Sequence, residues 1–199
     1  MVSTRDRALT AAVEVLGSQG LRYLTHARID DGAGLPRGST SNYFRTRAAL
    51  IAGVIDWVAR HELGDIDPGF DPAVSTPDDL VDAFCDLVTL QTGPARVRTI
   101  ARYLLFLEAA RGGDEFRAPL VANRGLFEQW TTSTLAALGA PHPKTAALAL
   151  MAFGEGLILH RLTVDDSAET RPAIALVVRA CLAPEPGPTS EPQPGPLGD

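Results

Sequence analysis

Only two cysteines, Cys85 and Cys181, occur in the 199 residues, and they lie far apart in the chain. Such a pair makes neither a disulfide framework nor a zinc site, and it fits a reducing compartment. Strand signals are almost missing, because apolar residues recur at helical spacing nearly throughout. No apolar run approaches the ~18 residues that a membrane span needs. The richest stretch, Ala146 to Leu159, is interrupted by Gly154, Glu155 and Gly156. The first residues, Met1 to Arg7, turn polar at once and hold no signal-peptide core. His26, His61, His142 and His160 show no HExxH or other ligand spacing, and no Ser-His-Asp, Cys-His or glycine-rich phosphate loop is present. These absences predict a soluble cytoplasmic protein, not an enzyme, with no membrane, metal or cofactor.

The chain is 45% apolar, with a mean hydropathy of +0.05, so it has material for a core. Its length fits one domain or a small domain joined to a larger one. The net charge is −6 and the pI about 5.2. Taken globally, that balance argues against nucleic acid, because phosphate needs a basic footprint. The position of the charges decides how far the argument holds.

Nine helices are expected, and the fold class is all-α. Leu9, Ala12, Val13 and Leu16 share one face of a helix from about Thr4 to Ser18, which Gly20 stops. Thr25 caps a short helix, His26 to Asp31, and Gly32-Ala33-Gly34 makes a tight turn. Pro36 suits the first position of another short helix, ending near Tyr43, and Thr46 caps the next. A Gly-, Asp- and Pro-rich break from Gly64 to Pro72 marks a domain boundary. Thr76-Pro77-Asp78-Asp79 then opens a helix to about Gln91, and Gly93-Pro94 begins one that reaches Ala110. Further helices span about Glu115–Leu138, Pro143–Leu162 and Ala168–Leu182. From Pro184 the chain holds six prolines and three glycines in sixteen residues, the composition of a disordered tail.

The informative constellation lies in the first 60 residues. A capped short helix, a glycine turn and a second short helix make a helix-turn-helix. The second helix of such a unit enters the DNA major groove, leading with its N-terminal residues. Here those are Arg37, Ser39, Thr40 and Asn42, with Tyr43 at the end. Arg forks onto guanine, Asn pairs with adenine, and Ser or Thr donates or accepts. Gly38, Ser39 and Ser41 are small enough for a close backbone approach.

These residues resemble the DNA-binding domain of the TetR family. Thr25, Ala33-Gly34-Leu35, Gly38, Tyr43-Phe44, Arg47 and Leu50 stand in register with that family's pattern over about residues 4 to 60. The resemblance implies phosphate contacts from Thr25, Tyr43 and Arg47, and a core role for Phe44. Two positions depart from it. Asp30 stands where the family buries a small Ala, so it is expected to be paired with Arg28 or another Arg, or to lie at an edge. Ser41 stands where a phosphate-contacting Tyr is common.

The charge count agrees with this placement. Residues 1–60 hold eight Arg against five acids, and residues 61–199 hold ten basic against nineteen acidic residues. The expected division is therefore a DNA-binding domain over 1–60, a helical effector-binding and dimerisation domain over 61–183, and a tail over 184–199.

Within the second domain, Phe84, Val88, Tyr103 and Leu104 are candidates for a ligand pocket. So are Leu107, Phe127 and Trp130, with Glu108 and Arg111 as polar anchors. An aromatic stripe at this spacing also builds plain core. Ala149, Ala152 and Gly156 place small residues three or four apart beside Phe153, and the last helix adds Ile174, Val177 and Cys181. In the resembled family the last two helices form a four-helix dimer interface; intramolecular core is the alternative.

Asp78-Asp79-Leu-Val-Asp82 spells a DDxxD pattern that holds Mg²⁺ and a diphosphate in helical prenyl-type enzymes. After Pro77 the same acids complement a helix N-terminus. His160 and Cys85 are better explained as structural than as reactive. The expectation is a homodimeric regulator, a repressor that leaves double-stranded operator DNA when a small apolar or amphipathic effector binds. A Mg²⁺-dependent prenyl-diphosphate enzyme and a DNA-binding module without effector control are the alternatives.

Overall fold

The computed structural model describes residues 2–66, 74–111 and 114–184, so the sequence-predicted tail and most of the predicted break lie outside the described residues. Among them are nine α-helices and no strand. The first four are α1 (Thr4–Gln19), α2 (His26–Gly32), α3 (Ser39–Tyr43) and α4 (Arg47–Ile66). The rest are α5 (Pro77–Thr92), α6 (Arg96–Ala110), α7 (Asp114–Ala137), α8 (Pro143–Thr163) and α9 (Arg171–Leu182), and a 3-10 turn spans Leu21–Tyr23.

Local chemistry sets most boundaries. Ser3 Oγ accepts from the Asp6 N–H at 3.1 Å, and Thr46 Oγ1 from the Ala49 N–H at 3.1 Å. Thr76 and Asp79 form a reciprocal capping box ahead of Pro77. Gly20, at φ +93°, ends α1 in a conformation that favours glycine.

Three boundaries differ from the sequence pattern. Helix α3 starts at Ser39, not Pro36, because Gly38 takes φ +89° and breaks the helical path between them. Helix α9 starts at Arg171 rather than Ala168, since Asp165 accepts from the Ser167 N–H and hydroxyl and holds that stretch as a turn. Helix α4 continues through Gly64 to Ile66.

Two hydrophobic clusters organise the chain. The first joins Leu9 and Leu16 of α1, Ile29 of α2, Phe44, and Val54 of α4 to Ala101 and Leu105 of α6. The second joins Leu80 and Phe84 of α5, Leu135 of α7, Leu150 of α8, and Ile174 and Val178 of α9. Helix α4 packs in the first cluster and runs on to Ile66, so residue 60, where the sequence reading divides the chain, falls within a continuous helix. At 21 residues, α8 is long and apolar enough to cross a membrane by length and composition, which the interrupted run in the sequence had not suggested. It packs here against α5, α7 and α9.

Two glycines set close approaches. A Cβ on Gly53 would lie 2.5 Å from Phe44 Cε1, so the ring sits directly on α4. A Cβ on Gly17 would collide with the Val97 carbonyl oxygen, where α1 crosses α6. Backbone cannot yield as a flexible side chain does. Gly17→Ala is therefore expected to destabilise the fold by about 1–3 kcal/mol despite Ala's better helix propensity, seen as a lowered Tm. An unchanged Tm would mean that the two helices separate freely.

Candidate nucleic-acid interface and cavity

A five-residue helix such as α3 has too few hydrogen bonds to hold itself. Its N-terminus has no side-chain cap of its own, and α2 supplies one. Asp30, 1% exposed, accepts from the Gly38 N–H at 2.7 Å and the Thr40 N–H at 2.8 Å. It also accepts from the Thr40 hydroxyl at 2.5 Å. Burial alone would raise this carboxyl's pKa. The hydrogen bonds from Thr40 and Gly38 outweigh burial and hold it below the ordinary 3.8. The expected pairing with Arg28 is not formed. Arg28 donates instead to Gln19 Oε1 at 2.6 Å and lies 4.7 Å from the Tyr23 ring centroid, which Arg22 approaches to 4.5 Å.

The sequence-predicted DNA residues separate into two groups. Thr25, Arg37, Asn42 and Tyr43 are exposed. Thr40 is fully buried and hydrogen-bonded to Asp30, so it is a fold residue, not a base reader. Ser39 and Ser41 are half-buried and donate to Pro36 O and Gly38 O, at 2.6 and 2.9 Å. Thr25 also accepts from the Arg28 N–H as the cap of α2. Arg47, exposed at the start of α4, donates to Leu24 O and Leu21 O at 3.0 Å each, and so ties that helix to the 3-10 turn. Arg7 performs a similar task from α1, donating to Ala33 O at 2.7 Å and Gly34 O at 3.3 Å in the turn between α2 and α3.

A cavity of about 90 Å³ lies among α4, α5, α6, α7 and α8. Phe84, Phe106 and Phe127 give it an aromatic wall, and Glu62, Gln91, Arg102, Arg124 and Glu155 give it a polar side. Arg102, 8% exposed, is central to that side. Its Nη2 donates to Gln91 Oε1 at 2.8 Å and lies 3.5 Å from Glu155 Oε2, while Nη1 lies 3.3 Å from Glu62 Oε1. Glu155 also accepts from the Tyr103 hydroxyl at 2.7 Å and sits 3.6 Å from Arg124. Burial pushes the Glu62 carboxyl above its ordinary pKa, although Arg102 and Arg98 pull the other way. Arg102 loses solvation but gains more from the two carboxylates, so its pKa rises. Burial and the Glu155 charge together push the Tyr103 phenol up.

Of the predicted pocket residues, Phe84, Val88 and Phe127 line this cavity. Trp130 stacks behind Phe127 with centroids 5.7 Å apart, and Tyr103 stands behind Glu155. Leu104 packs against the first cluster, Leu107 is 63% exposed, and Glu108 pairs loosely with Arg111 at 3.9 Å. These three lie off the cavity because α6 turns Arg102 and Phe106, one turn apart, towards it. The sequence reading missed Glu62, Gln91, Arg102 and Glu155. Only Glu155, a charged residue between two glycines in an otherwise apolar stretch, carried a signal.

On the outer face of α8 and α9, Ala149, Ala152 and Gly156 are exposed beside Leu148, Leu159 and Leu176. Phe153, Val177 and Cys181 are half-buried. Ile174 is 1% exposed inside the second cluster, on the inward side of α9, so it cannot belong to an outer face. Burial pushes the Cys85 and Cys181 thiols up, away from reactivity. The acids of the DDxxD pattern are taken up structurally. Asp79 closes the capping box, and Asp82 pairs with Arg171. Among the described residues no group of three His, Cys, Asp or Glu could hold a metal ion.

Comparison with known proteins agrees with this architecture. A family model described as "Tetracyclin repressor-like, C-terminal domain" matches residues 75–184. A transcriptional regulator from Rhodococcus sp. Rha1 superposes with a TM-score of 0.75 at 18% identity, over 90% of this chain and 96% of that one. A member of the TetR family from Streptomyces coelicolor A3 gives 0.72 at 24% identity, over 91% and 99%. The multidrug binding protein EbrR, complexed with ethidium, gives 0.65 at 24% identity, over 91% and 99%. At these identities the likeness is one of fold. A comparison with curated proteins finds no match.

The Asp30 clasp makes a prediction in two parts. Asp30→Asn is expected to cost about 1.5–3 kcal/mol at pH 7, the range for hydrogen bonds to a charged group. The carboxyl's folded pKa lies below its unfolded one, so this contribution is complete well above pH 3.8 and fades as pH falls through the folded value. Urea titrations should therefore show a smaller gap between the native chain and Asp30→Asn at pH 3 than at pH 7. An equal gap at both would remove the charge from the explanation.

Proposed function

The chain belongs to the TetR family of transcriptional regulators, and on that premise we propose that it is a homodimeric repressor, released from double-stranded operator DNA by a small-molecule effector. The observation that carries this reading is the course of α4. It begins at Arg47, tied to the helix-turn-helix, and carries Glu62 at the cavity. A ligand that moves Glu62 therefore pushes on the same rigid helix that Phe44 rests on.

Exposed Arg37, Asn42 and Tyr43 are the side chains available to DNA, with Arg37 and Asn42 suited to base edges and Tyr43 and Thr25 to phosphate. The apolar outer face of α8 and α9, with Leu148, Ala152, Gly156, Leu159 and Leu176, suits a second copy. A dimer sets two recognition helices ~34 Å apart, one DNA turn. An effector that prefers another spacing lowers operator affinity by its differential binding energy. That EbrR is a multidrug binding protein of similar fold supports a small-molecule role for the cavity. The site of action is the cytoplasm, where the genome is.

Footprinting on DNA flanking the chain's own gene, with and without candidate ligands, tests the whole reading. Protection of a two-fold site that a ligand abolishes is expected, and no protected site would overturn it. On that site Arg37→Ala should cost ~1–3 kcal/mol and relax sequence preference at one position; equal loss on every sequence would make Arg37 a phosphate contact. Leu176→Glu should give a folded monomer by sedimentation with weakened operator binding, whereas an intact dimer would move the interface elsewhere.

A further inference from the structure

Two exposed arginines beside the helix-turn-helix are held in place without a counter-charge. Arg22 donates to the Tyr23 hydroxyl at 2.7 Å, and its guanidinium lies 4.5 Å from the centroid of the same ring. Arg28 lies 4.7 Å from that centroid and donates to Gln19 Oε1 at 2.6 Å. Both arginines are exposed and Tyr23 is half-buried. Among the described residues neither arginine pairs with a carboxylate. Arg60, by contrast, pairs with Asp56 at 3.0 Å. Gathering two like charges at one ring costs repulsion, which the ring's attraction offsets in part and a bound anion would reverse.

Position identifies the anion. Arg47, at the start of α4, donates to Leu21 O and Leu24 O, the residues on either side of Arg22 and Tyr23. The turn therefore lies against the short junction between α3 and α4, which follows the exposed Tyr43. Arg45 and Arg47 are exposed at this junction, as is Thr25 after the turn. A helix in the major groove is walled by phosphate strands, and roughly half to two-thirds of protein–DNA hydrogen bonds go to phosphate and sugar. Cations flanking α3 thus meet backbone, and a guanidinium forks onto phosphate oxygens.

We propose that Arg22 and Arg28, held ready by Tyr23, form a phosphate clamp that grips the DNA backbone beside the bases read by α3. The clamp rests on the reading of the chain as a DNA-binding regulator and adds a contact outside α3. Keeping both guanidiniums on the ring removes in advance the rotamer freedom that binding would otherwise cost. It supplies affinity and register, and no sequence preference.

Fluorescence anisotropy on the full chain tests this with two duplexes, one of random sequence and the footprinted operator, from about 50 to 200 mM KCl. Arg22→Gln and Arg28→Gln are each expected to weaken both duplexes by the same factor and to reduce the salt slope by about 1 per copy bound. Arg60→Gln removes the same charge about 20 Å along α4 from Arg47 and should leave the slope unchanged. Tyr23→Leu keeps both charges and should weaken binding severalfold, while Tyr23→Phe, which keeps the ring, should stay close to native. A variant that only unfolded in part would lose affinity at an unchanged slope. An unchanged slope in Arg22→Gln and Arg28→Gln, with or without lost affinity, would therefore overturn the clamp. So would a loss confined to the operator, which would make these arginines base contacts. Native affinity in Tyr23→Leu would overturn the role given to the ring. A native chain that bound neither duplex would sink the DNA-binding reading itself.

Discussion

One carboxylate holds the recognition helix in place. Asp30 receives two backbone N–H groups and one hydroxyl from Gly38 and Thr40, and so caps a helix that is too short to cap or sustain itself. The donors lie eight and ten residues along the chain, so the same bonds that cap α3 also fix its angle to α2. Gly38 makes the geometry possible by taking φ +89°, which turns its N–H towards the carboxylate. Everything the chain offers to DNA from α3 is presented by that clasp. With Thr40 turned inward, Asn42 and Tyr43 face out from the same short helix.

Rigidity then passes from the clasp to the body of the protein by two routes. Phe44 closes α3 and packs against Gly53, so the helix-turn-helix bears on α4, and α4 reaches the cavity at Glu62. Gly17 lets α1 lie on the backbone of α6 at Val97, and α6 carries Arg102 one and a half turns further on. Both routes meet in the Glu62–Arg102 contact. A buried ion pair of this kind is weak evidence for stability, because desolvation offsets much of the Coulomb gain. Its position between the two helices that touch the DNA-binding unit suits a specifying role better than a stabilising one.

The sequence carried the local part of this structure and not the long-range part. Caps such as Ser3, Thr25, Thr46 and Thr76 are local, and the helices they open were legible. The apolar spacing likewise gave the number of helices. Asp30 was recognisable as an anomaly, since a carboxylate stood where a small residue was expected, but its partners were assigned wrongly. An Arg seemed the natural counter-charge, whereas the structure satisfies the charge with backbone N–H groups across a glycine turn. Thr40 was misread for the same reason. The cavity's aromatic wall was partly legible from Phe84 and Phe127. Its polar side was not, because Glu62, Gln91, Arg102 and Glu155 come from four different helices and no spacing along one helix reveals them. Ile174 and Val177 are three residues apart and equally apolar, and only packing against α5 and α8 decides that one is core and the other half-exposed.

The use of the arginines changes the meaning of the basic domain. Residues 1–60 hold eight Arg against five acids, a modest excess for a surface that must meet phosphate. Arg7 and Arg47 spend their donors on backbone carbonyls of the turn and the 3-10 segment, Arg5 lies over Phe44, and Arg60 pairs with Asp56. That leaves Arg22, Arg28, Arg37 and Arg45 as the cations less committed to the fold's interior, and two of these stack on Tyr23. Non-specific affinity scales with phosphates neutralised, so it must be low for one copy. Selective binding then leans on two things. One is the few outward side chains that the Asp30 clasp presents. The other, in the proposed dimer, is the doubling of those contacts, where a second domain would add contacts at high effective concentration. In the proposed dimer a change in spacing between the two copies would remove the larger share of such affinity, so a modest push on α4 from the cavity would suffice for the proposed control.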